Sequence, residues 1–396
     1  MNTASTQYAV RKSMDMASLW KIRAPRLGSM DMELTERCNL NCIHCYINQP
    51  VGDKEIRARE IPTRRVKEIL REAVNLGCLT VRFTGGEPML RPDFREIYLF
   101  ARKLGLRVTL FTNGTLITQE MADLFAATPP LEKIEISIYG MSSESYRAVT
   151  GFADAYSAVM RATALLLEKR IPFVVKGARL PANEKDLPAF ESWAARLPWM
   201  DGLPDYALFL DLRARRDSEE KNRDIRQLRL SPEDGMRFFH GRPEQERTET
   251  IRFCKKFLSG PTDRLFPCGA GKGVCIDAYG QAQMCLTLRH PDTVYDLQNS
   301  SLETMLLKFI PGIRKMVARN PDYLKRCARC FLRGLCEQCP AKSWMEHGTL
   351  DTPVEYLCEV AHEQARDLGL LQDNEQAWEI TDWKERIESL EQLISY

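Results

Sequence analysis

Short apolar runs alternate with amphipathic stretches through the first half of the chain. Ser29–Leu34, Leu79–Phe83, Arg107–Phe111, Lys133–Ile138, Pro172–Ala178 and Tyr206–Leu210 are apolar or β-branched and predict six strands. Between the first two strands, Val66, Ile69, Leu70, Ala73 and Val74 fall on one helical face, and Phe94, Ile97, Tyr98 and Ala101 do so after the second. Asn75-Leu76-Gly77 reads as a helix stop. Six β/α repeats predict a parallel sheet with helices outside it. A full eight-unit barrel takes ~250 residues, and Gly28 to Arg213 offers about 185. The expected fold is therefore α/β, a partial (β/α)6 TIM-like barrel.

The pattern then changes. Arg213–Arg229 is dense in charge and has no apolar face, which predicts a solvated linker or loop. From Cys254 to Cys358 the segments are short and punctuated by Gly, Pro and Cys, too poor in periodicity for a large core, so metals would supply the staples. From Glu375 onward Ile380, Trp383, Ile387, Leu390 and Ile394 form a helical stripe, expected to dock onto the barrel.

Composition narrows the class. The 396 residues are 44% hydrophobic and 28% charged, which excludes disordered and collagen-like chains. A net charge of +2 leaves no electrostatic footprint for nucleic acid or an anionic membrane. The first 27 residues contain no apolar signal segment, and the most apolar stretch, Tyr156 to Leu167, is broken by Arg161. These features predict a cytoplasmic protein.

The 13 cysteines are unusual for such a chain, because a reducing cytosol disfavours disulfides. Three stand at Cys38, Cys42 and Cys45, Cys78 is alone, and nine fall between Cys254 and Cys358. Such clusters read as metal or catalytic sites. Cys78, at a helix-to-strand junction, reads as a packed small hydrophobe. Cys38-x3-Cys42-x2-Cys45 follows the first strand, at the end where barrel enzymes place their active sites. Three thiolates can hold three irons of a four-iron cluster and leave the fourth open for substrate chemistry. A zinc knuckle, with His44 as fourth ligand, is the alternative. Thr84-Gly85-Gly86-Glu87-Pro88 follows the second strand and Thr112-Asn113-Gly114 the third. Farther on come Cys268, Cys275 and Cys285, then Cys327-x2-Cys330-x5-Cys336-x2-Cys339, then Cys358. A zinc ribbon is the alternative for that field.

The cysteine triplet together with the Gly-Gly-Glu turn resembles the signature of the radical S-adenosylmethionine (SAM) superfamily, over roughly Gly28 to Arg213. The later cysteine field resembles the SPASM extension of that superfamily, over about Cys268 to His362. The resemblance implies a barrel followed by a small cysteine-rich domain. It divides the chain into an N-terminal extension (1–27), the radical SAM barrel (28–240), the auxiliary-cluster domain (241–366) and a C-terminal helix (367–396). It implies SAM and three [4Fe-4S] clusters. Cys38, Cys42 and Cys45 would hold the SAM cluster. Cys268, Cys275, Cys285 and Cys339 would hold one auxiliary cluster, with Cys254 or an open site as alternatives to Cys275. Cys327, Cys330, Cys336 and Cys358 would hold the other. His44, Gly85, Gly86, Glu87, Asn113, Ser137, Lys176 and Arg213 would surround SAM. Ser137-Ile138-Tyr139-Gly140 departs from the family's S-x-D-G, with Tyr139 in place of a ribose-binding aspartate.

The activity implied is hydrogen abstraction from a ribosomally made peptide, giving a crosslink, an epimerised residue or a backbone excision. Implied partners are a precursor peptide, a separate small peptide-recognition protein, and an electron donor of flavodoxin or ferredoxin type. Asp277, His290 and Tyr139 are acid/base or radical-donor candidates by location. Three other functions stay open. One is a formylglycine-generating sulfatase maturase, against which Leu286 stands where that family tends to place an aspartate. A small-molecule radical SAM dehydrogenase and a non-catalytic iron–sulfur or zinc protein are the others.

Overall fold

The computed structural model describes residues 27–241, 260–268, 273–336 and 339–394, with side chains described to 388. Strands β1 (Ser29–Thr35), β2 (Thr80–Gly85), β3 (Arg107–Thr112), β4 (Leu131–Ser137), β5 (Phe173–Ala178) and β6 (Asp205–Ala207) form the six parallel strands expected. They lie side by side in chain order. Three further strands extend the sheet beyond β1: β7 (Gly273–Ile276), parallel to β1, then β8 (Gln281–Gln283) and β9 (Tyr295–Asp296), both antiparallel. The result is a nine-stranded sheet in the order β9-β8-β7-β1-β2-β3-β4-β5-β6.

Alternation along each strand separates two environments. Met30, Met32, Val81, Phe83, Val108, Leu110, Ile134, Ile136, Phe173 and Val175 are buried. The intervening positions carry Asp31, Arg82, Phe111, Glu135 and Lys176, all partly exposed. Helices α1 (Thr63–Asn75) and α2 (Phe94–Lys103) bury the faces that the periodicity predicts: Val66, Ile69, Leu70 and Ala73, then Phe94, Ile97, Tyr98 and Ala101. Cys78 is buried, and its thiol donates to the Thr80 carbonyl at 3.2 Å.

The chain divides into two units. The first contains the described residues of 27–207 and 273–286 together with Val294–Ile310. The second contains 208–241, 260–268, Thr287–Thr293, 311–336 and 339–394. In the second unit the structure corrects two expectations. The charged stretch read as a loop contains helix α3 (Glu219–Leu228). Ser218 caps it by accepting from the Lys221 N–H, and only Asn222 and Ile225 are buried. Asn222 Oδ1 takes the Arg213 N–H at 2.8 Å, so a polar anchor replaces the apolar stripe that periodicity looks for. The C-terminal helix α4 (Trp383–Ile394) begins eight residues later than Glu375. Its described apolar positions Trp383 and Ile387, with Ile380 before it, pack against Cys330, Phe331, Leu332, Leu335, Cys336, Ala361 and Ala365. The described part of the stripe therefore covers the cysteine-rich core.

Candidate active site and cysteine centres

The first site grows out of the end of β1. Arg37–Cys38 pairs in parallel with Gln49–Pro50, closing the cysteine loop at its base. The Arg37 guanidinium meets Glu60 through Nε at 2.9 Å and Nη2 at 3.2 Å, and Glu60 also accepts from the Thr35 hydroxyl. Farther along, the Asn41 and Ile43 N–H groups donate to the Thr150 and Val149 carbonyls, both at 2.9 Å. The thiols face neutral amide donors: Leu40 N–H lies 3.4 Å from Cys38 Sγ, and Asn48 N–H lies 3.3 Å from Cys45 Sγ. Asn113 Nδ2 stands 3.7 Å from Cys38 Sγ and 2.9 Å from Asn39 Oδ1. Burial pushes the Cys38 thiol up to about 12, so this thiol sheds a proton only when a cation takes its place.

Gly85 and Gly86 are required by the backbone that carries the cysteines. A Cβ at Gly85 would overlap the Thr35 carbonyl oxygen, and one at Gly86 the Arg37 and Glu36 carbonyl oxygens. Gly85 also has φ +122°, a conformation that side chains disfavour. The two motifs therefore interlock. Gly86 N–H donates to Thr35 O at 2.7 Å and Glu87 N–H to Arg37 O at 2.9 Å.

Cys38, Cys42 and Cys45 line one cavity of about 1320 Å3, counted out to its mouth. Of the residues expected around SAM, His44, Gly85, Gly86, Asn113, Ser137 and Lys176 line it as well. Glu87 does not. Glu87 is fully buried and accepts from the Thr112 hydroxyl at 2.8 Å, the Asn113 N–H at 2.9 Å and the Met89 N–H at 3.2 Å. Burial lifts its pKa to about 7. Glu87 thus fixes the turn that bears Asn113. Arg213 belongs to the second unit, where Nε and Nη2 each lie 2.8 Å from Asp217 carboxylate oxygens.

Lys176 is 2.9 Å from Glu135, and its ammonium lies 3.3 Å from the Phe111 ring centroid. The Arg82 guanidinium approaches the same ring at 4.6 Å and pairs with Asp31 at 3.4 Å. Tyr139 sets its ring edge-on to His44, centroids 5.2 Å apart. Sequence reasoning missed Tyr46, Thr84, Phe111, Asp205 and Tyr206 among the lining residues. Thr84 and Phe111 sit in the last two residues of β2 and β3, where a strand-end rule would have found them. Asp205 begins the short β6, one residue before the predicted strand. Leu286, which bears on the sulfatase-maturase alternative, faces this cavity too.

The remaining candidates have local surroundings of their own. Asp277 is buried and its Oδ1 accepts the Tyr279 and Gln281 N–H groups, both at 2.9 Å, which shapes the β7–β8 turn. His290 lies in the second unit, edge-on to Trp344 with Nδ1 accepting the Asp292 N–H, and burial lowers its pKa. Cys275, on β7, and Cys285 belong to the first unit; Cys268 and Cys339 belong to the second. Cys254 lies outside the described residues.

Within the second unit, Cys327, Cys330, Cys336 and Cys358 line one cavity of about 350 Å3 with Leu332, Arg333, Ala361, His362 and Trp378. Burial raises the Cys327 thiol to about 11 and Cys330 to about 12. Among the described residues no three His, Cys, Asp or Glu side chains close on a single metal ion. Mononuclear zinc draws its donors to ~2.0–2.3 Å, whereas a multi-iron cluster spreads its thiolates around a larger body. The donors gathered in each cavity, three thiols in the first and four in the second, are the ligand chemistry that an iron–sulfur cluster takes.

Residues 32–188 match the Radical SAM superfamily. The AdoMet-dependent heme synthase of Methanosarcina barkeri is 29% identical over 229 residues, 58% of this chain and 61% of that protein. The PqqA peptide cyclase of Xanthomonas euvesicatoria pv. vesicatoria is 30% identical over 176 residues, 44% of this chain and 46% of that protein. The chain thus spans about half to three-fifths of the length of these curated relatives. The solved structure of native anSMEcpe with bound AdoMet superposes with a TM-score of 0.61 at 14% identity, covering 92% of this chain and 99% of that one. The likeness is one of fold and extends past the barrel into the cysteine-rich region. No helix among the described residues is long and apolar enough to cross a membrane. Over residues 32–188 this chain is similar to the radical SAM superfamily.

Proposed function

We propose that this chain modifies a precursor peptide by hydrogen abstraction, forming a crosslink, an epimerised residue or a backbone excision. The observation that carries the reading is the convergence of Cys38, Cys42 and Cys45 with Gly85, Gly86, Asn113 and Ser137 on one cavity. When bound there, a reduced four-iron cluster and SAM supply a carbon radical that takes a hydrogen atom from a substrate C–H bond.

The chain's own residues hold that chemistry in place. The three thiolates ligate iron, and the Arg37–Glu60 pair keeps their loop closed at its base. Glu87 holds the Thr112–Asn113 turn, and Asn113 braces Cys38 and Asn39. Lys176, charge-balanced by Glu135, gives the cavity a cation of restrained strength. Tyr46, Tyr206 and Leu286 add apolar and aromatic lining that excludes water and orients substrate. Cys327, Cys330, Cys336 and Cys358 hold an auxiliary iron–sulfur cluster. The partners that accompany this reading are a separate small peptide-recognition protein and a flavodoxin- or ferredoxin-type electron donor in the cytoplasm. The PqqA peptide cyclase similarity supports a peptide substrate.

A tetrapyrrole substrate is the second reading, favoured by the greater length of the match to the AdoMet-dependent heme synthase. The test begins with anaerobic reconstitution and dithionite. Release of 5′-deoxyadenosine and methionine, abolished by Cys42→Ala, is expected. Co-expression with a candidate precursor and recognition protein, read by mass spectrometry, should change the precursor mass. An unchanged precursor together with turnover of a tetrapyrrole would overturn the peptide assignment and leave SAM cleavage standing.

A further inference from the structure

We propose that Arg326 raises the reduction potential of the centre held by Cys327, Cys330, Cys336 and Cys358. The proposal rests on the reading of that cavity as an iron–sulfur site.

Arg326 Nη2 lies 3.6 Å from Cys358 Sγ, within reach of a hydrogen bond to sulfur. The guanidinium is locked in that position. Nη1 and Nη2 form a two-pronged pair with Glu355 at 2.7 and 2.8 Å. Its face lies over Trp378 at 4.7 Å from the ring centroid. Trp378 is itself set edge-on to His362, 5.3 Å between centroids, and lines the cysteine cavity. His362 is fixed in turn: Nδ1 donates to the Cys358 carbonyl at 2.8 Å, and Nε2 accepts the Ala377 N–H at 3.2 Å. His362 Nδ1 also lies 3.6 Å from Cys358 Sγ, and the guanidinium is the permanent cation beside that sulfur.

A cationic donor to a ligand sulfur draws electron density from the cluster and stabilises the more negative, reduced state. Arginine stays charged throughout the accessible pH range. The cavity wall is largely apolar, with Leu332 and Ala361 buried, while the guanidinium stands partly exposed beside the solvent-facing Glu355. The Leu332 N–H, 3.3 Å from Cys330 Sγ, acts in the same direction. Burial of the cluster acts the opposite way, and Glu355 offsets part of the guanidinium charge. The donors to Cys38 and Cys45 in the first unit, in contrast, are neutral amides.

The experiment is a redox titration of the fully reconstituted chain, followed by low-temperature electron paramagnetic resonance. The signal of this centre is the one lost in Cys358→Ala, together with part of the iron. Arg326→Gln should disfavour reduction about tenfold, a downward shift of ~59 mV for one electron. Arg326→Lys should recover most of it. Glu355→Gln, which leaves the guanidinium in place and removes its counter-charge, should shift the potential upward. An Arg326→Gln signal with unchanged or raised potential overturns the proposal. Should Arg326→Gln fail to hold the cluster, absence of the upward shift in Glu355→Gln overturns it equally. If Cys358→Ala leaves both iron content and every signal as in the parent, the iron–sulfur reading itself has failed, and that outcome is distinct from an unshifted potential.

Discussion

Arg37 and Glu60 form a buried ion pair at the base of the cysteine loop, with side chains only 5% and 7% exposed. The pair joins the residue before Cys38 to the residue after the Lys54–Arg59 helix, so it fixes the loop at both ends. Removing one partner would strand the other charge away from water. Glu60→Ala should cost about 3–5 kcal/mol of stability and reduce iron uptake at the first site. Urea unfolding and iron analysis of the variant check both effects. Intact stability with full iron loading would show that the loop closes without the pair.

Glu87 gives a pH signature. Burial raises its folded-state pKa to about 7, from a model-peptide value near 4.5. The folded chain therefore prefers the protonated acid. The stability it gains is fully present below pH 4.5 and is lost as pH rises toward 7. The full difference is up to about 3 kcal/mol. Glu87→Gln does not titrate and keeps an oxygen for the Asn113 N–H. In cluster-free protein, the stability of the parent relative to Glu87→Gln should fall between pH 5 and 7 and level off above. A difference that is flat with pH would mean that Glu87 is ionised throughout.

The residues that converge on the first cavity were more legible than those that support them. Cys38, Cys42, Cys45, Gly85, Gly86, Asn113 and Ser137 reach one cavity because strand ends in a parallel sheet share one edge, which spacing alone conveys. Glu87 carries a motif position but turns to a local partner, Asn113, which depends on a rotamer that no sequence pattern records. The added strands β7–β9 escaped notice because each is two to four residues long. A run that short has no measurable period, and register with β1 supplies what local propensity lacks. The C-terminal stripe was visible as a stripe, but periodicity does not say which apolar surface it meets. It meets the one around Phe331 and Leu335.

Asp277 separates a turn role from an acid/base role. Its Oδ1 accepts two backbone N–H groups at 2.9 Å and thereby sets the β7–β8 turn. Asn presents an oxygen at the same place, so Asp277→Asn should leave both stability and SAM cleavage close to the parent. Asp277→Ala should lose about 1–3 kcal/mol by leaving those donors unmet. If Asp277→Asn folds normally yet loses product formation with SAM cleavage intact, the carboxylate has a part in substrate chemistry.

The glycine pair provides a steric test of the interlock between the two motifs. At Gly86 an added Cβ meets the carbonyls of Glu36 and Arg37, which are backbone atoms at the root of the cysteine loop and cannot rotate away. Gly85 adds a φ of +122° to a similar collision with Thr35. Gly52 is a matched control, because a Cβ there meets nothing within 4 Å and its φ is ordinary. Gly86→Ala should destabilise the chain by about 1–3 kcal/mol, since Arg37 and Cys38 must shift to admit the methyl group. Its iron content should fall at the first site, while the signal lost in Cys358→Ala is retained. Gly52→Ala should match the parent in both respects. Thermal unfolding and spectroscopic iron–sulfur content distinguish the outcomes. A Gly86→Ala chain with parental stability and a fully loaded first site would show that the Gly-Gly turn and the cysteine loop are not sterically coupled.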